Sequence, residues 1–314
     1  MVLEKPRILF MGTPEFAVPS LQRLIEDGYP IIAVVTQPDR PRGRGRKTEP
    51  SPVKKTAEAQ RIPVLQPLRV RDPAFLIRFR ELEPDMVVLV AFGQILPPEI
   101  IDSPPMGCLN VHPSLLPLYR GAAPINWTLI RGEDRTGITI MRMDEGLDSG
   151  DVLLQEECII KPEDNFDTLH DRLAHQGAAL LLKTIEGIMY GTITRASQNH
   201  ALATYAPRLK KGDGHIDWVA DATDIVNRIR GLSSTPGAYT FVKGKQLKIF
   251  SAGSDKTSVS LPPGSIGPSS PQGLAVTAKN GIVYLKEVQL EGKKRMKIQD
   301  FLAGFRISPG DLLT

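Results

Sequence analysis

The feature that most constrains the fold is a regular alternation of short apolar runs and amphipathic segments through residues 1–190. The apolar runs are rich in β-branched residues and predict strands that include Arg7–Met11, Ile31–Thr36, Met86–Ala91, Cys108–Val111, Thr136–Met141 and Val152–Glu156. Helical periodicity predicts helices that include Ala17–Asp27, Pro73–Glu83, Ala122–Arg131 and Phe166–Tyr190. Continuously apolar strands that alternate with helices favour a mostly parallel sheet covered on both faces. We therefore predict a doubly wound, Rossmann-like α/β domain over residues 1–190.

The pattern changes after Gly191. Weak periodicity over residues 191–207 predicts a linker, and a helix over Ala220–Arg230, with Gly231 as its C-cap, begins the next domain. Short strand signals then recur at Ala238–Val242, Gln246–Ser251, Leu274–Thr277 and Ile282–Gln289. The sequence Lys279-Asn280-Gly281 predicts a tight hairpin turn before the last of these strands. Residues 208–314 therefore predict a small OB-like β-barrel domain.

Charge differs between the two predicted domains. Residues 208–314 contain 16 Lys and Arg against 9 Asp and Glu, whereas the preceding residues contain 23 against 26. A basic C-terminal third suggests a polyanionic partner, although an ordinary solvated surface explains the charge equally well. With only two cysteines, no signal peptide and no apolar run near the ~20 residues of a membrane helix, we expect a cytoplasmic protein without membrane association.

Two polar residues, Asn110 and His112, are separated by one residue at the end of a predicted parallel strand. Side chains alternate along a strand, so both point to the same side, at the edge where open α/β sheets bind ligands. An imidazole that relays protons and an amide that donates to an oxyanion suit acyl transfer. An isolated Asn-x-His is more often only a strand cap, so the longer context has to decide.

The acidic stretch from Met143 to Asp151 lies between two predicted strands. A carboxylate here can orient His112 or stabilise its protonated ring. Asp, Ser and Gly are also ordinary turn residues, which makes a solvated turn the competing interpretation. Spacing alone does not show which of Asp144, Asp148 and Asp151 supplies the carboxylate beside His112.

Other chemistries find little support. The turn Met11–Phe16 has one glycine where a dinucleotide fingerprint needs three. No nucleophile elbow or zinc-protease motif occurs, and the five histidines have no spacing typical of metal ligands. We therefore expect neither a nicotinamide cofactor nor a metal.

The loop Thr36–Lys55 contains seven basic and two acidic residues and follows the carboxyl end of the second strand. Its prolines oppose helix formation and its glycines make it adaptable. A solvated charged loop is the usual interpretation of such a run. Its place beside the predicted cleft instead favours contacts with phosphates and bases through Arg42, Arg44, Arg46 and Lys47.

Four stretches together resemble the methionyl-tRNA formyltransferase family. They are FMGTPEFAVPSL from Phe10, VVTQPDRPRGRGRK from Val34, NVHPSLLPLYRGAAPI from Asn110 and GLDSGDVL from Gly146. The resemblance runs in order through the first 190 residues and more weakly through the rest. It implies a formyltransferase catalytic domain that uses 10-formyltetrahydrofolate and a C-terminal domain that binds tRNA.

The resemblance also assigns roles to residues. It implies a catalytic trio of Asn110, His112 and Asp148, which selects one acid from the loop. It implies folate binding by two segments, whose residues are Ser114, Leu115, Leu116 and Pro117 in one, and Phe92, Gly93, Gln94, Ile95 and Leu96 in the other. Arg42 matches the loop arginine that the family uses on the acceptor end of tRNA. One departure is Leu118, at a position where a basic residue is expected.

The implied reaction is formyl transfer from 10-formyltetrahydrofolate to the α-amino group of methionyl initiator tRNA, for translation initiation. A 10-formyltetrahydrofolate hydrolase and a sugar-nucleotide formyltransferase share the catalytic trio and stay open as alternatives. A tRNA-binding protein without activity is a third alternative, but it gives no reason for the trio. Nothing in the sequence demands a dimer, and we expect a monomer.

Overall fold

The computed structural model describes residues 4–42, 47–258 and 260–314, apart from the side chains of Pro41, Arg42 and Lys47. The chain divides into two compact units. The first unit comprises residues 1–121, 135–159 and 170–205, and the second comprises residues 122–134, 160–169 and 206–314. The segment predicted as a linker, 191–207, thus belongs to the first unit as far as Tyr205.

Helices and strands alternate in the N-terminal part of the chain, as predicted. The strands are β1 Ile8–Gly12, β2 Ile31–Val35, β3 Arg40–Arg42, β4 Lys47–Glu49, β5 Val64–Leu65, β6 Met86–Val90, β7 Cys108–His112, β8 Arg135–Arg142 and β9 Val152–Ile159. The helices are α1 Val18–Glu26, α2 Pro52–Ala59, α3 Pro73–Leu82, α4 Pro98–Asp102, α5 Pro124–Ile130 and α6 Phe166–Met189. Residues 15–17 and 200–202 form single 3-10 turns.

Seven of these strands form one sheet in the order β5-β2-β1-β6-β7-β8-β9. The five strands from β5 to β7 run parallel, whereas β8 and β9 are antiparallel to their neighbours. The prediction of a doubly wound, mostly parallel sheet is therefore confirmed. The five residues of β1, of β6 and of β7 are all buried, which explains their continuous apolar sequence.

Helix α6 lies close against the centre of the sheet because it has a glycine at the contact. A Cβ on Gly177 would lie 2.9 Å from Cγ1 of Val111 in β7. Val111 alternates with Asn110 and His112, so its face of β7 is the one that α6 covers. Asn110 and His112 therefore point to the opposite face.

The second unit contains helix α7 and an antiparallel sheet. Its elements are α7 Ala222–Leu232, β10 Ala238–Val242, β11 Lys245–Lys256, β12 Ile266–Ser270, β13 Gly273–Ala278, β14 Gly281–Leu290, β15 Met296–Lys297 and α8 Ile298–Gly304. The strand order is β10-β11-β14-β13-β12, with β15 paired to β14. Leu313 bridges to Val242 in β10, and Leu312 bridges to Ser265 beside β12. The C-terminal residues thus join the two edge strands, which closes the sheet as the barrel prediction requires.

The loop after β2 contains a short antiparallel hairpin, in which β3 and β4 pair. One local prediction is wrong. Gly231 is not a C-cap, since α7 continues to Leu232. A Cβ on Gly231 would lie 2.8 Å from the carbonyl oxygen of Asn126 and 2.7 Å from Cγ1 of Ile130. The glycine therefore permits close packing of α5 and α7 and does not end the helix.

Candidate active site

Two side chains of β7 and a third from the loop after β8 meet at this strand. Asn110 and His112 lie on one face of this strand, and their exposed fractions are only 6% and 4%. Asp148 Oδ1 lies 3.5 Å from Asn110 Nδ2 and 3.7 Å from His112 Nδ1. These distances are longer than a strong hydrogen bond, so the three groups border a shared space without closing it.

One nitrogen of the His112 ring has a fixed partner. Nε2 lies 3.0 Å from the carbonyl oxygen of Tyr119, which can only accept, so we assign the proton of the neutral ring to Nε2. Nδ1 then has the lone pair and faces Asp148. Tyr119 itself has a left-handed backbone with φ of +60°, which is uncommon for a bulky residue. The ring nitrogen that can exchange a proton is therefore Nδ1.

The structure distinguishes the three acids of the loop after β8. Asp148 Oδ2 accepts the backbone N–H of Gly121 at 2.8 Å, in addition to its approach to Asn110 and His112. Asp144 instead accepts from Ser149 Oγ at 2.9 Å, and Asp151 accepts from Ser197 Oγ at 3.0 Å. Only the Asp148 side chain lies beside the other two candidates. Spacing could not make this choice, because the loop folds back onto β7.

The backbone of the turn after β7 also takes part in the site, which sequence reasoning missed. The Tyr119 carbonyl holds the His112 ring, and the Gly121 N–H holds the Asp148 carboxylate. Both residues lie in the motif NVHPSLLPLYRGAAPI that was singled out from the sequence. Side-chain chemistry alone does not reveal backbone donors and acceptors, so no signal in the residue types identifies them.

The segment after β7 that is predicted to bind folate is anchored to the neighbouring strand. Thr139 Oγ1 donates to the Ser114 carbonyl at 2.6 Å and accepts the Leu116 N–H at 3.1 Å. Ser114 Oγ donates to the carbonyl of Leu118 at 2.6 Å, and both Ser114 and Leu116 are buried. Leu115 and Pro117 are partly exposed, which leaves them as the segment's side chains available to a ligand.

Leu118, where a basic residue was expected, is 40% exposed. Its carbonyl accepts from Ser114, so its backbone belongs to the anchored turn while its side chain faces solvent. The Leu118 side chain supplies no charge at this position. The turn itself does not depend on the residue type at this position.

The second segment predicted to bind folate, residues 92–96, has both buried and exposed groups. Phe92 and Leu96 are buried in a cluster with Cys108, while Ile95 is 75% exposed. Gly93 has a φ of +85°, a conformation that favours glycine. The Gln94 side chain is occupied, since its Oε1 accepts the Val70 N–H at 3.0 Å. The segment therefore forms an apolar wall whose exposed apolar side chain is Ile95.

Burial also determines the state of Cys108, two residues before Asn110. Desolvation in the apolar cluster raises the pKa of the Cys108 thiol from 9.0 to about 12. The thiol is therefore protonated at neutral pH and is not a nucleophile. Its Sγ lies 3.5 Å from Sδ of Met143, so the residue contributes to the same apolar wall.

We call the pair β3 and β4, in the basic loop Thr36–Lys55, the basic hairpin. Polar contacts among three neighbouring side chains hold its base. Lys54 Nζ lies 2.6 Å from Asp39 Oδ2 and 2.8 Å from Gln66 Oε1, and Gln66 Nε2 donates to Asp39 Oδ1 at 2.7 Å. The hydrogen bonds from Lys54 and Gln66 lower the pKa of the Asp39 carboxyl. Gln37 Nε2 donates to the carbonyl of Phe92 at 3.2 Å. The hairpin is thus anchored to the apolar wall.

The predicted tRNA contacts lie mostly outside the described residues. Arg44 and Arg46 fall in 43–46, which the structure does not describe. Arg42 and Lys47 end and begin the two paired strands of the hairpin, and their side chains are also outside the description. The roles of all four residues stay predictions.

Two family models match the chain in order. The model described as formyl transferase matches residues 6–185, and the model described as formyl transferase, C-terminal domain, matches residues 208–306. The chain belongs to the formyl transferase family. The first match covers the whole seven-stranded sheet together with Asn110, His112 and Asp148.

Individual members of the formyl transferase family are similar over their full length. The methionyl-tRNA formyltransferase of Syntrophus aciditrophicus is 58% identical over 99% of this chain and 100% of its own. The enzyme of the same name from Geotalea uraniireducens is 51% identical over 98% of this chain and 97% of its own.

Solved structures share the formyl transferase fold at much lower identity. A sugar 3N-formyl transferase, WlaRD, solved in the presence of dTDP and 5-N-formyl-THF, has a TM-score of 0.67 at 18% identity, over 93% of this chain and 100% of its own. HypX from Aquifex aeolicus in complex with tetrahydrofolic acid has a TM-score of 0.63 at 19% identity. The match covers 99% of this chain but only 51% of HypX. These likenesses concern the fold.

No helix in the described part of the chain is long and apolar enough to cross a membrane.

Proposed function

We propose that this formyl transferase moves the formyl group of 10-formyltetrahydrofolate onto the α-amino group of methionyl initiator tRNA. The observation that carries the proposal is the meeting of Asn110, His112 and Asp148 in a chain that resembles methionyl-tRNA formyltransferases from end to end. An amide donor, an imidazole and a carboxylate around one open space are the groups that acyl transfer between nitrogen atoms requires.

The donor proposal rests on the surfaces beside the trio. Phe92, Leu96 and Cys108 give a buried apolar wall, and Ile95 and Leu147 are 75% and 60% exposed. Such apolar surface suits the flat heteroaromatic ring of a folate, whose polar edge the backbone groups of residues 92–96 and 114–117 can meet. A relative in fold, HypX, has been solved with tetrahydrofolic acid, which supports a folate as the formyl donor. The 10-formyl form is the one whose formyl group is attached to a leaving nitrogen.

Asn110 is the proposed oxyanion donor. An amide nitrogen has two N–H groups, and only one of them is directed towards Asp148. The second can donate to the formyl oxygen when the amine attacks the formyl carbon and negative charge develops there. Loss of a donor of this kind costs about 10²–10³ in kcat.

His112 is the proposed proton carrier. Its Nδ1 lone pair accepts a proton from the attacking amine, and the same nitrogen returns a proton to N10 as the bond from the formyl carbon to N10 breaks. Asp148, 3.7 Å from Nδ1, stabilises the positive ring between these steps. One N–C bond forms, one breaks and the protons balance, so neither a metal nor a covalent enzyme intermediate is needed.

The acceptor proposal rests on charge and on full-length similarity. The basic hairpin follows β2, and the C-terminal residues 208–314 have an excess of seven positive charges. Arg42, Arg44, Arg46 and Lys47 are proposed to contact the acceptor stem of the tRNA, with the C-terminal domain supplying further phosphate contacts. Translation initiation in the cytoplasm is the corresponding physiological setting, with the protein as a monomer.

The proposal is tested by following a labelled formyl group. The chain is incubated with formyl-labelled 10-formyltetrahydrofolate, with and without methionyl initiator tRNA, and the label is measured on the aminoacyl-tRNA and as formate. We expect the label on the tRNA and formate release only at background rates. Asn110→Ala is the control that separates enzymatic transfer from spontaneous formylation.

The same experiment separates the alternatives. Release of formate at one rate with and without tRNA would indicate a folate hydrolase and overturn the proposal. Transfer to an amino sugar nucleotide in preference to methionyl-tRNA would indicate a sugar formyltransferase. Neither alternative uses the basic hairpin, so removing its positive charges should then leave activity unchanged.

A further inference from the structure

We propose that Gln198 is a positioning residue that holds Asp148 in place beside Asn110 and His112. The inference rests on the proposed function and names a residue outside the trio, the folate segments and the basic hairpin. Gln198 lies in the segment between α6 and the second unit, which the sequence predicts to be a linker. Its side chain is nevertheless buried, with an exposed fraction of 7%.

Every polar group of the Gln198 amide is used in the site. Nε2 donates to the carbonyl of Asp148 at 2.9 Å and to the carbonyl of Gly150 at 2.8 Å. Oε1 accepts from Nη2 of Arg120 at 2.6 Å and from Nε at 3.2 Å. A buried amide with both donors and its acceptor satisfied fixes the groups around it in one geometry.

The loop that carries Asp148 needs such support. Asp148 has a left-handed backbone with φ of +48°, which costs about 1 kcal/mol in a non-glycine residue and persists only where the surroundings enforce it. Residues 144–147 are exposed, and a cavity of about 320 Å³ lies behind the loop. Ser149, Gly150 and Gln198 are among its lining residues. The hydrogen bonds from Gln198 to the loop carbonyls, together with the Gly121 N–H on the carboxylate, therefore hold Asp148 in place.

Gln198 also connects this loop to the turn after β7. Its partner Arg120 is buried, and the Arg120 N–H donates to the carbonyl of Thr204 at 2.8 Å. The neighbours of Arg120 on either side are the two residues whose backbone groups hold the site, Tyr119 for His112 and Gly121 for Asp148. One amide thus fixes both sides of the space in which the trio meets.

Two substitutions separate positioning from packing. Gln198→Ala removes all four contacts, whereas Gln198→Glu keeps the shape and the acceptor for Arg120 but loses the donors to the carbonyls of Asp148 and Gly150. We expect both variants to lower kcat on the order of 10²-fold, with KM for both substrates within about threefold of the wild type, because a shift of about 1 Å at a reacting group costs that much. Gln176→Ala is the matched control, since Gln176 donates to Glu156 and to the Glu157 carbonyl, away from the trio.

A double-mutant cycle with Asp148→Asn gives the decisive readout. If Gln198 acts by placing the Asp148 charge, Gln198→Ala in the Asp148→Asn background should cost only about twofold more, whereas independent effects would multiply. Full additivity, or a Gln198→Glu variant with wild-type kcat, would overturn the proposal. Melting temperatures establish whether the variants fold. If Gln198→Ala does not fold, the isosteric Gln198→Glu replaces it in the double-mutant cycle. All rates are relative to the wild type, so a wild type without formyl transfer would refute the proposed function instead.

Discussion

Asp148→Asn removes one negative charge from the site and preserves most of the local geometry. Asn tolerates the left-handed backbone of residue 148, and its Oδ1 can still accept the Gly121 N–H. What is lost is the second acceptor oxygen, which Asn110 Nδ2 approaches at 3.5 Å, and the attraction between the carboxylate and a positive His112 ring across 3.7 Å. Two unit charges at that distance interact by about 4.5 kcal/mol at an effective dielectric constant of about 20.

Solvent reduces this figure, because the Asp148 side chain is 15% exposed and the site is open. We take about 2–3 kcal/mol as the loss in the transition state, which corresponds to about a 10²-fold decrease in kcat. The assay is the single-turnover rate of formyl transfer to methionyl-tRNA with both substrates saturating. KM should change little, because the positive ring forms during the reaction and not on binding.

Asp144→Asn is the matched control for this prediction. Asp144 lies in the same loop and carries the same charge, but its carboxylate bonds Ser149 and the Gly146 N–H instead of the site. We expect Asp144→Asn to retain kcat within about threefold of the wild type. Equal losses for the two variants would mean that the total charge of the loop matters and not the position of Asp148, and would refute the role assigned to Asp148.

Three further predictions concern stability, titration and substrate binding. Gly137→Ala should lower the free energy of unfolding by about 2–3 kcal/mol in urea titrations, because its Cβ would lie 2.3 Å from the carbonyl oxygen of Glu156 in the next strand; an unchanged midpoint would contradict this. At pH 8 a maleimide should label Cys158 but not Cys108 in the native protein, and both after unfolding, since the pKa of the buried Cys108 thiol is raised to about 12. The unfolded thiol ionises near its ordinary pKa of 9.0, so the native state should lose stability as pH rises from about 9 towards 12. Lys54→Met should raise KM for tRNA about fivefold by loosening the base of the hairpin, and a change confined to the folate KM would refute that role.

Much of the first unit follows from sequence because burial dictates residue type there. Strands β1, β6 and β7 are buried along their whole length, so each is a continuous apolar run with helices on either side. The antiparallel direction of β8 and β9 has no comparable signal. A partly exposed strand such as β9 differs from a central strand because its exposed and less exposed residues alternate. The direction in which it pairs, however, depends on the path of the whole chain.

Part of the candidate site can likewise be predicted from local sequence, and part depends on contacts between distant segments. Asn110 and His112 are two residues apart on one strand, so the alternation of side chains brings them together without any tertiary knowledge. Asp148 reaches them only because its loop folds back onto β7, which spacing along the chain cannot show. Family resemblance, and not physical reasoning from the residues, singled it out from Asp144 and Asp151.

What sequence reasoning missed depends on contacts between distant segments. Gln198 lies in a segment with weak periodicity, and its importance comes from the carbonyls that it meets. Gly231 comes after a helical pattern and so resembles a helix C-cap, although its role is to let α5 and α7 pack closely. In both cases the residue type is compatible with several structures, and only the packing selects one.

The single-turnover rate of the His112→Ala variant tests whether Asn110 and His112 carry out formyl transfer to methionyl-tRNA. Labelled 10-formyltetrahydrofolate and methionyl initiator tRNA are mixed with excess enzyme in a quench-flow instrument, and label on the tRNA is followed with time. We expect the rate to fall on the order of 10²–10⁴-fold while both substrates still bind. A rate within about threefold of the wild type would mean that proton transfer does not pass through this ring, and the role assigned to His112 would be wrong.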